Sequence, residues 1–226
     1  MDRQKSNHVW RFNANVKAVK AYIEHVSLGL ICVCSLFFSV ASTADDADTL
    51  AEKLALLDTF SGAFEQTLTD DKGEELQASS GDFFLQRPGY FRWNTTEPFP
   101  QLLVSDLQSI WMYDPDLEQV TVRAYDNSVS ATPALLLSGD VTKIKEHYHV
   151  EQTQAQRYVL TPLQPQELFT RLTVSFMNGQ LSDMRLIDAL GQTTTFRFID
   201  GIYNQTIDRA LFEFVPPEGT DVIIGN

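Results

Sequence analysis

The chain has 226 residues, with 17 Lys/Arg against 30 Asp/Glu, a net charge of −13. That length gives one domain or two small ones, with enough chain for a sizeable core. So acidic a surface repels phosphate backbones and anionic headgroups, which excludes nucleic acid and peripheral membrane binding as primary roles.

The N-terminal stretch reads as an export signal. Arg3, Lys5, Arg11, Lys17 and Lys20 precede the apolar run 26–41, and Ser42, Thr43 and Ala44 offer small residues for a signal peptidase. Residues 1–44 are therefore expected to be a cleaved signal peptide, and 45–226 the exported, periplasmic domain. Both cysteines, Cys32 and Cys34, fall in the first segment, so the remainder carries no thiol or disulfide chemistry. It would keep 12 basic and 28 acidic residues, a net charge of −16.

After residue 44 the pattern becomes helical. Leu50, Leu54 and Leu57 recur at i, i+4 and i+7 behind acidic residues, predicting a short amphipathic helix over 48–57. Strands follow at 60–68 and at 75–86, with a turn at Asp70–Gly73 between them. Arg87-Pro88-Gly89-Tyr90 is read as a type II turn, with Pro88 second and Gly89 supplying a positive φ third. In the strand after it, alternation puts Phe91 and Trp93 on one face and Tyr90, Arg92 and Asn94 on the other. Arg87 stands alone at the rim of this aromatic hairpin.

Short strands are expected at 101–105, 109–113 and 119–123, then one or two very short helices around Pro133–Leu137, too small to be stable unless packed. Strands resume at 148–151, 157–162, 169–177, 180–187, 193–201 and 212–215, with Asn178-Gly179 a strong two-residue hairpin signal. The result is a mainly β protein, an antiparallel meander able to curl into a barrel or half-barrel, with no second-domain boundary. Its alternating apolar positions, Phe83, Leu85, Phe91, Trp93, Leu102, Val104, Ile110, Met112, Val120, Val122, Val174 and Phe176, need covering by helices, by curling or by a ligand. A dry packed core and a ligand cavity remain alternatives at this point.

Catalytic chemistry is thin. His147 and His149 would share a strand face but lack a third metal ligand, and there is no nucleophile elbow, zinc-binding His-Glu-x-x-His or phosphate-cradling glycine loop. No enzyme, cofactor or metal is expected, although a Ser–His–Asp set assembled from distant positions stays open.

The run Gly81–Trp93, with Leu102–Asp106, Ile110–Pro115, Thr132–Leu137 and Phe212–Pro217, resembles the LolA family, the periplasmic carriers of outer-membrane lipoproteins. The resemblance runs from about residue 48 to about residue 222. It implies an incomplete antiparallel β-barrel whose hydrophobic cavity lies under a lid of short α-helices. It further implies a monomeric chaperone that takes triacylated lipoproteins from an inner-membrane ABC transporter of the LolCDE type and delivers them to a LolB-like outer-membrane acceptor. By the same resemblance Arg87 latches the lid through backbone carbonyls near Leu54, Leu137 and Ser138. The acyl-binding cavity would be lined by Phe83, Leu85, Phe91, Trp93, Leu102, Val104, Ile110, Met112 and Leu135. Two other readings remain, an envelope sensor of the same fold that holds lipid moieties, and a secreted esterase or hydrolase.

Overall fold

Strand follows strand in a single sheet. The computed structural model describes residues 45–125, 137–164 and 169–225, all within one compact unit. Helix α1 (Asp46–Ala55) leads into β1 (Thr59–Thr69), β2 (Glu75–Gln86), β3 (Tyr90–Glu97), β4 (Gln101–Ser105), β5 (Ser109–Asp114) and β6 (Gln119–Ala124). A 3-10 turn at Val141–Lys143 runs into α2 (Ile144–His147), which precedes β7 (Tyr148–Gln154), β8 (Arg157–Pro162), β9 (Arg171–Met177), β10 (Gln180–Ile187) and β11 (Thr193–Tyr203). A second 3-10 turn, Arg209–Phe212, and strand β12 (Asp221–Ile224) finish the described chain.

The sheet order is β12-β6-β5-β4-β3-β2-β1-β11-β10-β9-β8-β7, an open sheet whose two meanders are joined by the pairing of β1 with β11. Every pair is antiparallel except β12 with β6. Two features let so long a sheet curl rather than lie flat. A register irregularity in β1 between Ser61 and Ala63 bends that strand against β11. At Gly81 the neighbouring strand approaches so closely that any Cβ would run into the Asn94 carbonyl oxygen, beside another register shift.

Cross-strand partners point to the same side, so the register separates the faces. Phe60, Phe64, Phe83, Leu85, Phe91, Met184, Val174, Leu172, Leu160 and Tyr158 fall on the concave face and form one continuous buried core. Their rings interlock: Phe60 and Phe83 meet edge-on at 4.7 Å between centroids, and Phe64 lies 4.2 Å from Trp93. Over this floor lies α1, with Ala47, Leu50 and Leu54 buried beneath it. Burying each leucine is worth about 1.5–3 kcal/mol, enough to dock a ten-residue helix that would not persist alone. Asp45 caps it, and Lys145 of α2 pairs with Asp48 at 2.6 Å across an exposed seam.

The other face has a smaller core of its own. Val104, Val120 and Phe212 are buried but separate from the main cluster. Phe212 packs 5.6 Å from Tyr90, and Phe214 lies 5.8 Å from Trp111 and 5.7 Å from Tyr113. The segment after β11 therefore straps the convex side of β3–β6 before β12 joins the edge.

Several expectations shift. The strand expected at 212–215 is a 3-10 turn followed by backbone outside the ladder; Phe212 and Phe214 pack against the sheet with tilted rings, and Pro216 and Pro217 cannot donate to a ladder. His147 ends α2 while His149 lies on β7, so the two do not share a strand face. The Arg87–Pro88 peptide is cis, and Gly89 carries the expected positive φ of 96°. Asn178 and Gly179, with φ of 53° and 81°, form the hairpin turn their sequence announces. The signal segment 1–44 and most of the expected helix around residues 133–137 lie outside the described residues.

Candidate functional site

The turn between β2 and β3 sits where α1 ends. Arg87 donates from Nε to the Leu57 carbonyl at 2.9 Å, from Nη2 to the Leu54 carbonyl at 3.1 Å and from Nη1 to the Gly139 carbonyl. Leu54 and Leu57 close α1, and Gly139 follows the helical residues Leu137 and Ser138. Helix C-termini leave carbonyls without intrahelical donors and carry partial negative charge, so a cation with a rigid fork of donors suits them. Burial pushes the Arg87 pKa down to about 10, opposed by the nearby charges of Asp58 and Asp140. The guanidinium thus stays cationic at neutral pH while losing most of its water to the three carbonyls.

Gly89 completes the junction. Its N–H donates to the Ser138 carbonyl at 2.7 Å, and a Cβ there would collide with the Tyr125 hydroxyl and approach Leu107 at 2.8 Å. Gly89→Ala should therefore cost about 1–3 kcal/mol through backbone strain and displacement of Tyr125. Urea unfolding measures this, and an unchanged midpoint would contradict it.

The acceptors lie near the residues expected. Leu54 is one of them; Ser138 serves Gly89 instead, and Leu137 contributes a buried side chain to the core. Leu57 and Gly139 were not foreseen, because a carbonyl leaves no trace in residue type.

Among the expected cavity residues, Phe83, Leu85, Phe91 and Ile110 are buried together on the concave face, with Trp93 packed against them. Met112 shares that face by register but is 40% exposed near its end. Leu102 and Val104 are corrected to the convex face: Leu103 pairs with Trp93 and Ser105 with Phe91, so the alternate residues point away. Val120 and Val122 pair with Tyr113 and Trp111 and also lie there. The turn Pro98–Pro100 sets the phase of β4, and one residue of offset exchanges its faces. Leu135 lies outside the described residues. Four floor residues were missed altogether: Phe60, Phe64, Phe196 and Phe198 belong to β1 and β11, whose own alternation carried the signal.

Residues 55–215 match the family model described as "Outer membrane lipoprotein carrier protein LolA". The chain belongs to the LolA family. A relative from Azotobacter vinelandii, an outer-membrane lipoprotein carrier protein, is 42% identical over 200 residues, covering 86% of this chain and 97% of its own. Another of that description, from Hahella chejuensis, is 43% identical over 190 residues, covering 82% and 91%. Among solved structures, an uncharacterized conserved protein from Thermus thermophilus aligns with a TM-score of 0.51 at 9% identity, covering 80% of this chain and all of that one, which speaks for fold alone.

Family membership gives the geometry a context. The apolar floor, the helix seated on it and the arginine at the junction are separate elements of sequence brought to one rim. Among the described residues no group of three or more His, Cys, Asp or Glu side chains is placed to hold a metal ion.

Proposed function

We propose that the protein is a periplasmic lipoprotein carrier. It takes triacylated lipoproteins from an inner-membrane ABC transporter and delivers them to an outer-membrane acceptor, with its signal segment 1–44 removed. The acyl chains lie on the concave floor of Phe60, Phe64, Phe83, Phe91 and Trp93, after α1 has been displaced from it. One observation carries this reading: the apolar face of α1 is buried in one continuous core with the aromatic floor, and α1 is fastened at its end by Arg87.

Magnitudes explain why a carrier is required. Burial is worth about 0.8 kcal/mol per CH₂, so a sixteen-carbon chain contributes roughly 12 kcal/mol, and several such chains prevent spontaneous release into water. A carrier must accept that surface and still give it up. A helix that competes for the same floor meets both needs, and no bond is made or broken in the process.

The test uses inner-membrane vesicles containing a radiolabelled triacylated lipoprotein and its transporter, supplied with ATP. The purified protein should bring the lipoprotein into solution as a one-to-one complex. Lipoprotein that stays with the vesicles, in an assay where a known relative releases it, would overturn the reading.

A further inference from the structure

Among the described residues, the concave floor holds a buried polar group that goes unused. Tyr158, on β8, is fully buried within the main core, yet its hydroxyl has no hydrogen-bond partner among the described residues. Its neighbour in kind, Tyr203, donates to the Leu181 carbonyl at 3.1 Å. A buried donor left unpaired is unfavourable, and a phenylalanine would fill the same space without that penalty.

Its position links the hydroxyl to α1. Tyr158 pairs across the ladder with Gln152, whose N–H donates to Asp46, the first residue of α1, at 2.8 Å. The Asp46 carboxylate is close enough that its charge adds to burial in raising the Tyr158 pKa. That carboxylate is engaged by the Gln152 backbone rather than by the phenol, so α1 covers Tyr158 without satisfying it. Beyond it, the Phe176 ring meets Tyr158 edge-on at 6.1 Å, and Lys53 of α1 lies 5.8 Å over that ring. On the sheet Tyr158 is flanked by Gln152 and Val174, while Asp46 and Lys53 belong to the helix.

We infer that Tyr158 is a polar subsite in the acyl-binding floor, its hydroxyl donating a hydrogen bond to an ester carbonyl of an acyl-glycerol group once α1 has moved away. This rests on the carrier reading and specifies which part of the cargo the floor recognises. Acyl chains bring ester carbonyls into a site with little water, where those oxygens need a donor just as Tyr158 needs an acceptor. Each group is unsatisfied apart and satisfied together. The contact also fixes depth, because the ester stands at the head of the chain and the methyl terminus extends from it along the floor.

The test compares dioctanoylglycerol with the dioctyl ether of glycerol, two lipids of equal chain length that differ in the carbonyls. Each is titrated against an apolar solvatochromic dye bound to the full exported chain. The parent protein should prefer the ester by about five-fold, the yield of one good neutral hydrogen bond. Tyr158→Phe should bind the ether as before and lose the preference, with a melting temperature no lower than the parent's. A parent without preference, or a Tyr158→Phe variant that keeps it, would overturn the subsite while leaving the carrier reading intact. A variant that melts several degrees lower would show the hydroxyl to be satisfied in the empty protein, and would likewise overturn it. Displacement by neither lipid would overturn both.

Discussion

Replacing Arg87 by leucine is expected to leave loading intact and to slow hand-over to the acceptor by roughly ten-fold or more, so that loaded protein accumulates. Arg87 gathers the carbonyls of Leu54, Leu57 and Gly139, and it would lose the first two were α1 to leave the sheet. Hydrogen bonds to a charged group are worth about 1.5–3 kcal/mol each in favourable cases. On the proposed carrier reading, closing would return free energy when cargo leaves, and that return would make the carrier a weaker binder than its floor alone. Leucine removes the return and adds apolar surface, which favours the open form and its complex by linkage. Arg87→Lys should be intermediate, because an ammonium keeps the charge but not the planar fork. Loading and hand-over are measured separately with purified components. Lost loading with normal hand-over of preformed complex would contradict the latch.

Leu54→Asp should separate the lid from the floor. Leu54 is fully buried under α1, and an unpaired carboxylate there is costly enough to lift the helix off the sheet. The strands lose only a cover, so the far-UV spectrum of the sheet should persist while binding of an apolar dye rises several-fold. Phe83→Asp should behave differently. Phe83 is also fully buried but lies within the sheet's aromatic network, touching Phe60, Trp93 and Phe198. Truncating such a ring alone costs about 3–5 kcal/mol, and a charge adds to that. Global unfolding of Leu54→Asp comparable to that of Phe83→Asp would show α1 to be part of the fold rather than a cover over it.

Most strands were legible because period-two alternation and turn residues are local signals. The segments 101–105, 157–162 and 180–187 fall where alternation puts them. Face was less legible than strand. Leu102 and Val104 alternate as well as Ile110 and Met112 do, but nothing local couples the phase of β4 to that of β3. The strap over the convex face was missed for a related reason: Phe212 and Phe214 look like strand residues, and only the tertiary structure shows them serving as a cover. Helix α2 escaped notice because four residues hold too little periodicity, and what seats it is the burial of Ile144 and the pairing of Lys145 with Asp48. At the site, Arg87 could be singled out as a lone cation on an aromatic rim. Its partners are backbone oxygens, which residue types do not encode.

Displacement of α1 by cargo is the central claim, and a distance measurement tests it most directly. The only cysteines, Cys32 and Cys34, precede residue 45, so protein prepared from Asp45 onward accepts spin labels at chosen positions alone. Labels at Glu52→Cys, exposed on α1, and Arg185→Cys, exposed on β10, report the helix against the sheet. Pulsed electron–electron resonance should give one narrow distance distribution for the empty protein and a longer, broader one after loading with a triacylated lipoprotein. An unchanged distribution in protein shown to carry its cargo would mean that α1 stays in place, and that the chains bind elsewhere.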